Sequence, residues 1–175
     1  MPYNRLCNAG SRKDGESMQD ALPSVSVVVP IYNVERYLPQ CLEALCSQTL
    51  RDLEIVAVND GSTDGSLSVL QEWARKDERI VIVDKPNSGY GASMNCGIEA
   101  ARGAYIGIVE PDDFPERDMF KRLLRMAQRH DCDLVKCNFF EHYEDHDDRI
   151  RNFADFPYGR LFDPVEQPRI ICTIP

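Results

Sequence analysis

From Val25 onward the chain repeats one pattern: a short run of Val, Ile and Leu, a turn of Gly, Pro, Asn or Asp, then an amphipathic stretch. The pattern recurs roughly every 25 to 30 residues, as successive β-α units do. Strands are predicted over Val25–Val29, Leu53–Asn59, Ile80–Asp84, Tyr105–Val109 and Leu134–Phe140. Their apolar residues run on instead of alternating, so both faces need cover, and that demands parallel pairing between layers of helices. Helical spacing supplies the cover at Leu38, Leu42 and Leu45, at Leu67, Leu70, Trp73 and Ala74, and at Phe120, Leu123, Leu124 and Ala127. The fold class is therefore α/β: a mostly parallel central sheet with helices on both faces, in three layers α/β/α. A length of 175 residues suffices for one such domain.

Residues 1–23 are polar and lack periodicity, and are expected to form a disordered leader. The folded domain is assigned to 24–140. After Phe140 come an acidic run (Glu141, Glu144, Asp145, Asp147, Asp148) and a segment bearing Pro157, Pro164, Pro168 and Pro175. Residues 141–175 read as the start of a further, truncated region.

Composition removes some functions. With 29 acidic against 20 basic residues the formal charge is −9, which repels a nucleic-acid backbone, so no nucleic-acid partner is expected. A local acidic cluster can still hold a cation and, through it, a diphosphate. The 7 cysteines are odd in number and form no C-x-x-C pair, which points to reduced, mostly buried thiols. No stretch is apolar enough for a transmembrane segment and no secretion signal is present, so a cytoplasmic location is expected, with peripheral attachment at the inner membrane surface left open.

Ligands of parallel sheets bind beyond the carboxyl ends of the strands. The fourth predicted strand delivers Glu110-Pro111-Asp112-Asp113, whose crowded carboxylates suit a hard divalent cation such as Mg²⁺ or Mn²⁺. A solvated acidic turn, with Asp113 capping the next helix, would look the same in sequence. The second strand runs into Asp60-Gly61-Ser62-Thr63-Asp64. Asp60 can accept hydrogen bonds from a base edge or ribose, while Ser62 to Asp64 suit a turn and helix cap. After the first strand, Tyr32 can stack on a base or be an ordinary half-buried tyrosine. Asn87 to Asn95 begins like a dinucleotide fingerprint but carries Met94 at the third glycine position and follows the wrong strand. Its small residues suit close backbone approach to a ligand and a helix, beginning at Gly91, packed tightly on the sheet.

Taken in order, Val25 to Asn33, Gln48-Thr49, Val58 to Asp64, Asn95-Cys96-Gly97, Gly103 to Ile106 and Glu110 to Asp113 resemble the family 2 glycosyltransferases, of GT-A (nucleotide-diphospho-sugar transferase) fold. The resemblance covers roughly Val25 to Phe140. It implies a nucleotide-sugar donor, usually a UDP-sugar, with Tyr32 stacked on the base, Pro30 beside it, Asp60 on the base edge, and Asn95 and Glu35 near the nucleotide. It also implies Mn²⁺ or Mg²⁺ held by Asp112, with Glu110 and Asp113. Glu110 stands where Asp is usual, and Met94 where many relatives carry Arg. The implied reaction is an inverting, in-line transfer to a hydroxyl on a glycan or lipid-linked acceptor in polysaccharide, lipopolysaccharide or other glycan biosynthesis. Its general base is expected C-terminal to Pro175. A non-catalytic nucleotide-sugar-binding module is the alternative, and a homodimer is left open. A nucleotidyltransferase would need a glycine-rich basic loop after the first strand, which Pro30 to Glu35 do not provide.

Overall fold

The computed structural model describes residues 22–142 and 147–150. The chain divides into two compact units, Met1–Leu124 and Arg125–Pro175. In the first, the order is β1 (Val25–Ile31), α1 (Leu38–Cys46), β2 (Leu53–Asp60), α2 (Ser66–Ala74), β3 (Ile80–Lys85), α3 (Tyr90–Ala100) and β4 (Tyr105–Ile108), and α4 (Met119–His130) begins there. The strands lie in the order β3-β2-β1-β4, each neighbouring pair parallel. The expected boundaries hold to within a residue or two at each strand. The leader expected over 1–23 lies outside the described residues up to 21, while Pro23 and Ser24 already accept hydrogen bonds from Ala104 and Tyr105.

Period-two geometry sends alternate residues of β1 and β2 to opposite faces. Val25, Val27, Val29 and Ile31, with Ile55 and Ala57, pack against Leu38, Leu42 and Leu45 of α1, Leu70 of α2 and Phe120 of α4. Val28, Val56 and Val58 pack on the other face against Met94 and Cys96 of α3. Each fully buried Val, Leu or Ile stabilises the domain by about 1.5–3 kcal/mol relative to its exposed state. The approach of α3 depends on Gly97, where a Cβ would collide with Val28 and Val58.

Cover on both faces, expected for every strand, is found for β1 and β2 and not for the edge strands. Ile106 and Ile108 of β4 are 46% and 53% exposed, because their register with Ser26 and Val28 puts them on the α3 side, and α3 packs over β1 and β2. Among the cysteines, Cys41 and Cys96 are buried as expected, whereas Cys137 is exposed.

The opposite end of the sheet is tied by a buried carboxylate. Glu54 accepts from Ser26 Oγ (2.5 Å), from the Arg102 backbone N–H (2.7 Å) and from Arg102 Nε (2.9 Å). The neighbouring Gly103 N–H donates to Ser26 Oγ, fixing the α3–β4 turn against β1.

In the second unit the strand predicted over Leu134–Phe140 is corrected. The ladder starts at Phe139: β5 (Phe139–His142) pairs antiparallel with β6 (Asp147–Ile150), so it forms a two-stranded hairpin and not a fifth parallel strand. Asp147 and Asp148 of the acidic run open β6. Residues 151–175 lie outside the described residues.

Candidate functional site

Because β1 to β4 are parallel, their carboxyl ends share one edge. Tyr32 follows β1 directly and is 50% exposed. Asp60 ends β2, Lys85 ends β3 beside it in register, and Glu110 lies just past β4. Pro30 is buried within β1, beyond the last β1–β4 pair at Val28–Ile108, where the strand has β2 alone as its ladder neighbour and a missing N–H is tolerated.

Asp60 is 3% exposed and is held at both carboxylate oxygens. It pairs with Lys85 Nζ and accepts from the backbone N–H of Ser88 (2.8 Å) and of Gly89 (2.9 Å). Burial alone would raise its pKa, but Lys85, the Ser88 N–H and Ser93 outweigh that and hold the carboxyl below the ordinary range. Lys85 also reaches Ser88 Oγ at 2.6 Å. Asp60 therefore remains ionised and fixes the loop between β3 and α3. Gly89, at φ +89, begins α3 in a conformation that favours glycine.

The loop after β1 is laced to the loop after β2. Asn33 accepts from the Thr63 N–H at 2.8 Å and donates its own N–H to Ser62 Oγ. Glu35 accepts from the Gly65 N–H (2.8 Å), and Asp64 accepts from the N–H groups of Glu35 and Ser66. Ser62 and Thr63 form the turn the sequence suggested, but the N-cap position of α2 falls to Gly65, and Asp64 reaches the Ser66 N–H from one residue before it. The Glu35 carboxylate is spent on the amino end of α2, away from the Asp60 cluster. A shallow cavity of about 530 Å³ lies beside this loop, lined by Asn33 to Tyr37 and Asp64, and contains neither Asp60 nor the acidic turn.

That turn, Glu110 to Asp113, is closed by a hydrogen bond from the Asp113 N–H to the Glu110 carbonyl at 3.0 Å, with Pro111 at its second position. Beneath it lies the buried Cys41, whose Sγ contacts the same carbonyl; burial first, then Asp113 and Asp112, pushes the Cys41 thiol up to about 12, so it stays neutral. Buried Gln48 ties α1 to the far end of the segment, donating to the Glu116 carbonyl (2.8 Å) and accepting from the Phe120 N–H. Since α4 starts at Met119, Asp113 is not its cap. Asp112 and Asp113 are exposed.

Although Asp113 is exposed, desolvation by the neighbouring chain and then the charges of Asp112 and Glu110 raise its pKa, the mark of an uncompensated acidic cluster. Among the described residues no three acidic, His or Cys side chains converge as a ready-made cage. A hard cation bridging a diphosphate needs one or two carboxylates, the rest of its shell coming from phosphate oxygens and water, and the donor set here fits that demand. Glu110 is held by Tyr90, the first residue of α3, whose hydroxyl donates to Oε1 at 2.6 Å.

Asn95 is exposed on α3, while Met94 is turned into the core. Lys85 and Tyr90 fall in a strand-end segment where a ligand is expected, Lys85 to Gly91, but sequence reasoning gave neither of them a role. A lysine ending a strand and a tyrosine beside a glycine carry no signal until the fold brings them to Asp60 and Glu110.

Comparison with known proteins matches residues 26–173 to the family described as Glycosyl transferase family 2. The uncharacterized glycosyltransferase EpsJ of Bacillus subtilis is 42% identical over 124 residues, 71% of this chain and 36% of EpsJ. The chain thus spans about a third of this relative's length. Among solved structures, S. aureus TarS 1–349 in complex with UDP-GlcNAc aligns with TM-score 0.59 and 28% identity, covering 62% of this chain and 32% of that one. The mannosyltransferase PcManGT of Pyrobaculum calidifontis, in complex with GDP-Man and Mn²⁺, aligns with TM-score 0.57 and 26% identity, covering 62% and 33%.

Proposed function

This chain belongs to the family 2 glycosyltransferases and has the GT-A fold, and on that premise we propose that it binds the donor for an inverting transfer of sugar to a hydroxyl acceptor. The proposed donor is a UDP-sugar, the acceptor a glycan or lipid-linked hydroxyl, and the pathway polysaccharide, lipopolysaccharide or other glycan biosynthesis. The observation that carries the reading is the shared rim: Asp60 and Glu110 are joined across the parallel strand ends through Ser88, Gly89 and Tyr90.

In this arrangement the exposed Tyr32 ring offers a face for the base, with Pro30 beneath it, and Asp60 lies at the base edge. Ordered by Lys85, Asp60 could accept from an imino N–H, while Asn95 faces the nucleotide from α3. Glu35, occupied at Gly65, acts by holding the loop that carries Tyr32. Asp112, with Glu110 and Asp113, would hold Mn²⁺ or Mg²⁺. When bound, that cation neutralises charge on the departing diphosphate. The acceptor hydroxyl gives up its proton to a carboxylate general base as the sugar is transferred. PcManGT's complex with Mn²⁺ supports a divalent ion here. No helix among the described residues is long and apolar enough to cross a membrane, which fits a water-exposed or peripheral domain.

The test is calorimetry with UDP, with and without Mn²⁺, on the wild type and Asp112→Ala. Mn²⁺ should tighten UDP binding to the wild type, and the substitution should remove most of that gain. Unchanged Mn²⁺ dependence in Asp112→Ala would falsify the metal assignment. UDP affinity indifferent to Mn²⁺ in the wild type would favour a non-catalytic nucleotide-sugar-binding module instead.

A further inference from the structure

Tyr90 is 56% exposed, so burial does not account for an aromatic at this position. What fixes it is polar. Its backbone follows directly on Ser88 and Gly89, whose N–H groups both donate to Asp60, and its hydroxyl donates to Glu110 Oε1 at 2.6 Å. The Glu110 backbone is held independently, through its carbonyl, by Cys41 Sγ and the Asp113 N–H. Its side chain is therefore aimed by the Tyr90 hydroxyl, and Oε2 has no hydrogen bond among the described residues. Glu, one methylene longer than Asp, can span from the acidic turn to the start of α3.

We propose that Tyr90 is a positioning residue of the donor site, aiming Glu110 so that its second carboxylate oxygen is presented to the cation and diphosphate, and linking it to Asp60. This rests on the donor-site reading above. It also gives the Gly89-Tyr90-Gly91 segment, which fits no dinucleotide or phosphate-loop pattern, a role: glycine at 89 sets the turn that starts α3, and tyrosine at 90 crosses to the acidic turn.

A double-mutant cycle tests it. UDP binding in the presence of Mn²⁺ is measured by calorimetry for the wild type, Tyr90→Phe, Glu110→Gln and the double variant. Tyr90→Phe keeps the ring, so any direct stacking survives and only the hydroxyl is lost. The expected result is about tenfold weaker binding for Tyr90→Phe in the wild-type background, the low end for loss of one hydrogen bond to an ionised group, as suits an exposed rim. In the Glu110→Gln background the same change should cost less than about twofold, within the scatter of independent sites. An equal loss in both backgrounds, or none in the wild type, overturns the inference while leaving the donor site standing. Failure of the wild type to bind UDP with Mn²⁺ overturns the donor-site reading and this inference with it. The thermal midpoint of Tyr90→Phe should match the wild type, which separates a binding effect from a folding one.

Discussion

Tyr32 and Asp60 sit at the same edge and illustrate two ways of preparing a residue for a ligand. Asp60 is rigid because every oxygen is engaged, and its ionisation is secured by Lys85 and backbone N–H groups despite burial. Tyr32 is the reverse: exposed, just past the last strand residue, and positioned by a loop whose neighbours Asn33 and Glu35 are bound to the β2–α2 turn. Replacing Tyr32 by Ala should therefore leave stability within about 0.5 kcal/mol of wild type. It should weaken UDP binding by about 1–3 kcal/mol, the worth of one base stacked on an aromatic face. Chemical denaturation and calorimetry on the same sample would check both halves. Equal affinity in the variant would return Tyr32 to the status of an ordinary surface tyrosine. Asp60 and the acidic turn were legible in the sequence because carboxylates after apolar runs stand out. Glu35 was placed near the nucleotide by resemblance, but its bond to Gly65 depends on a contact between residues 30 positions apart.

Among the elements, β1 and β2 carry the core and the tie between sheet and helices. Glu54 shows how a polar residue is admitted there: Ser26 and Arg102 satisfy both of its oxygens. Burial raises its pKa, and the Ser26 hydroxyl followed by the Arg102 N–H and guanidinium lower it further, with a net shift downward. A carboxyl whose folded pKa is depressed contributes stability above its unfolded pKa of about 4.3 and loses it as pH falls through the folded value. Glu54→Gln should cost about 1.5–3 kcal/mol at pH 7, the range for hydrogen bonds to a charged group. The deficit should shrink as the pH is lowered past the folded pKa. Urea titrations at neutral and acid pH would read the difference, and a deficit independent of pH would show that packing, not charge, is at stake. The parallel strands were legible because unbroken Val and Ile runs call for cover on both faces, which β1 and β2 receive. The hairpin of β5 and β6 was not, since β6 (Asp147–Ile150) has the composition of a solvated loop and acquires strand geometry by pairing with β5.

For the molecule as a whole, the proposed donor site draws on all four strand ends of the first unit, so ligand binding should stabilise that unit cooperatively. Ligand at about 100 times its Kd contributes about 2.7 kcal/mol, which for a domain of this size raises the Tm by about 5–10 °C. UDP with Mn²⁺ should produce a rise of that order in a thermal melt, and UDP with chelator a smaller one. Melts that coincide with and without Mn²⁺ would argue against a cation in the site. The net charge of −9 gives the proposed cation a role at the whole-molecule scale, because a diphosphate approaching this surface would meet repulsion that a divalent ion relieves.

The sequence by itself determined the α/β class, the parallel pairing, the order of the strands' loops and the carboxylates they carry, since strand burial and turn chemistry are written in neighbouring residues. It did not determine what those carboxylates touch. That Asp60 grips Ser88 and Gly89, that Tyr90 reaches Glu110, and that Gln48 secures the chain at Glu116 and Phe120 all depend on segments brought together by the sheet. Contacts of that kind follow from how close the folded backbone brings distant residues, and no local pattern of side chains specifies them.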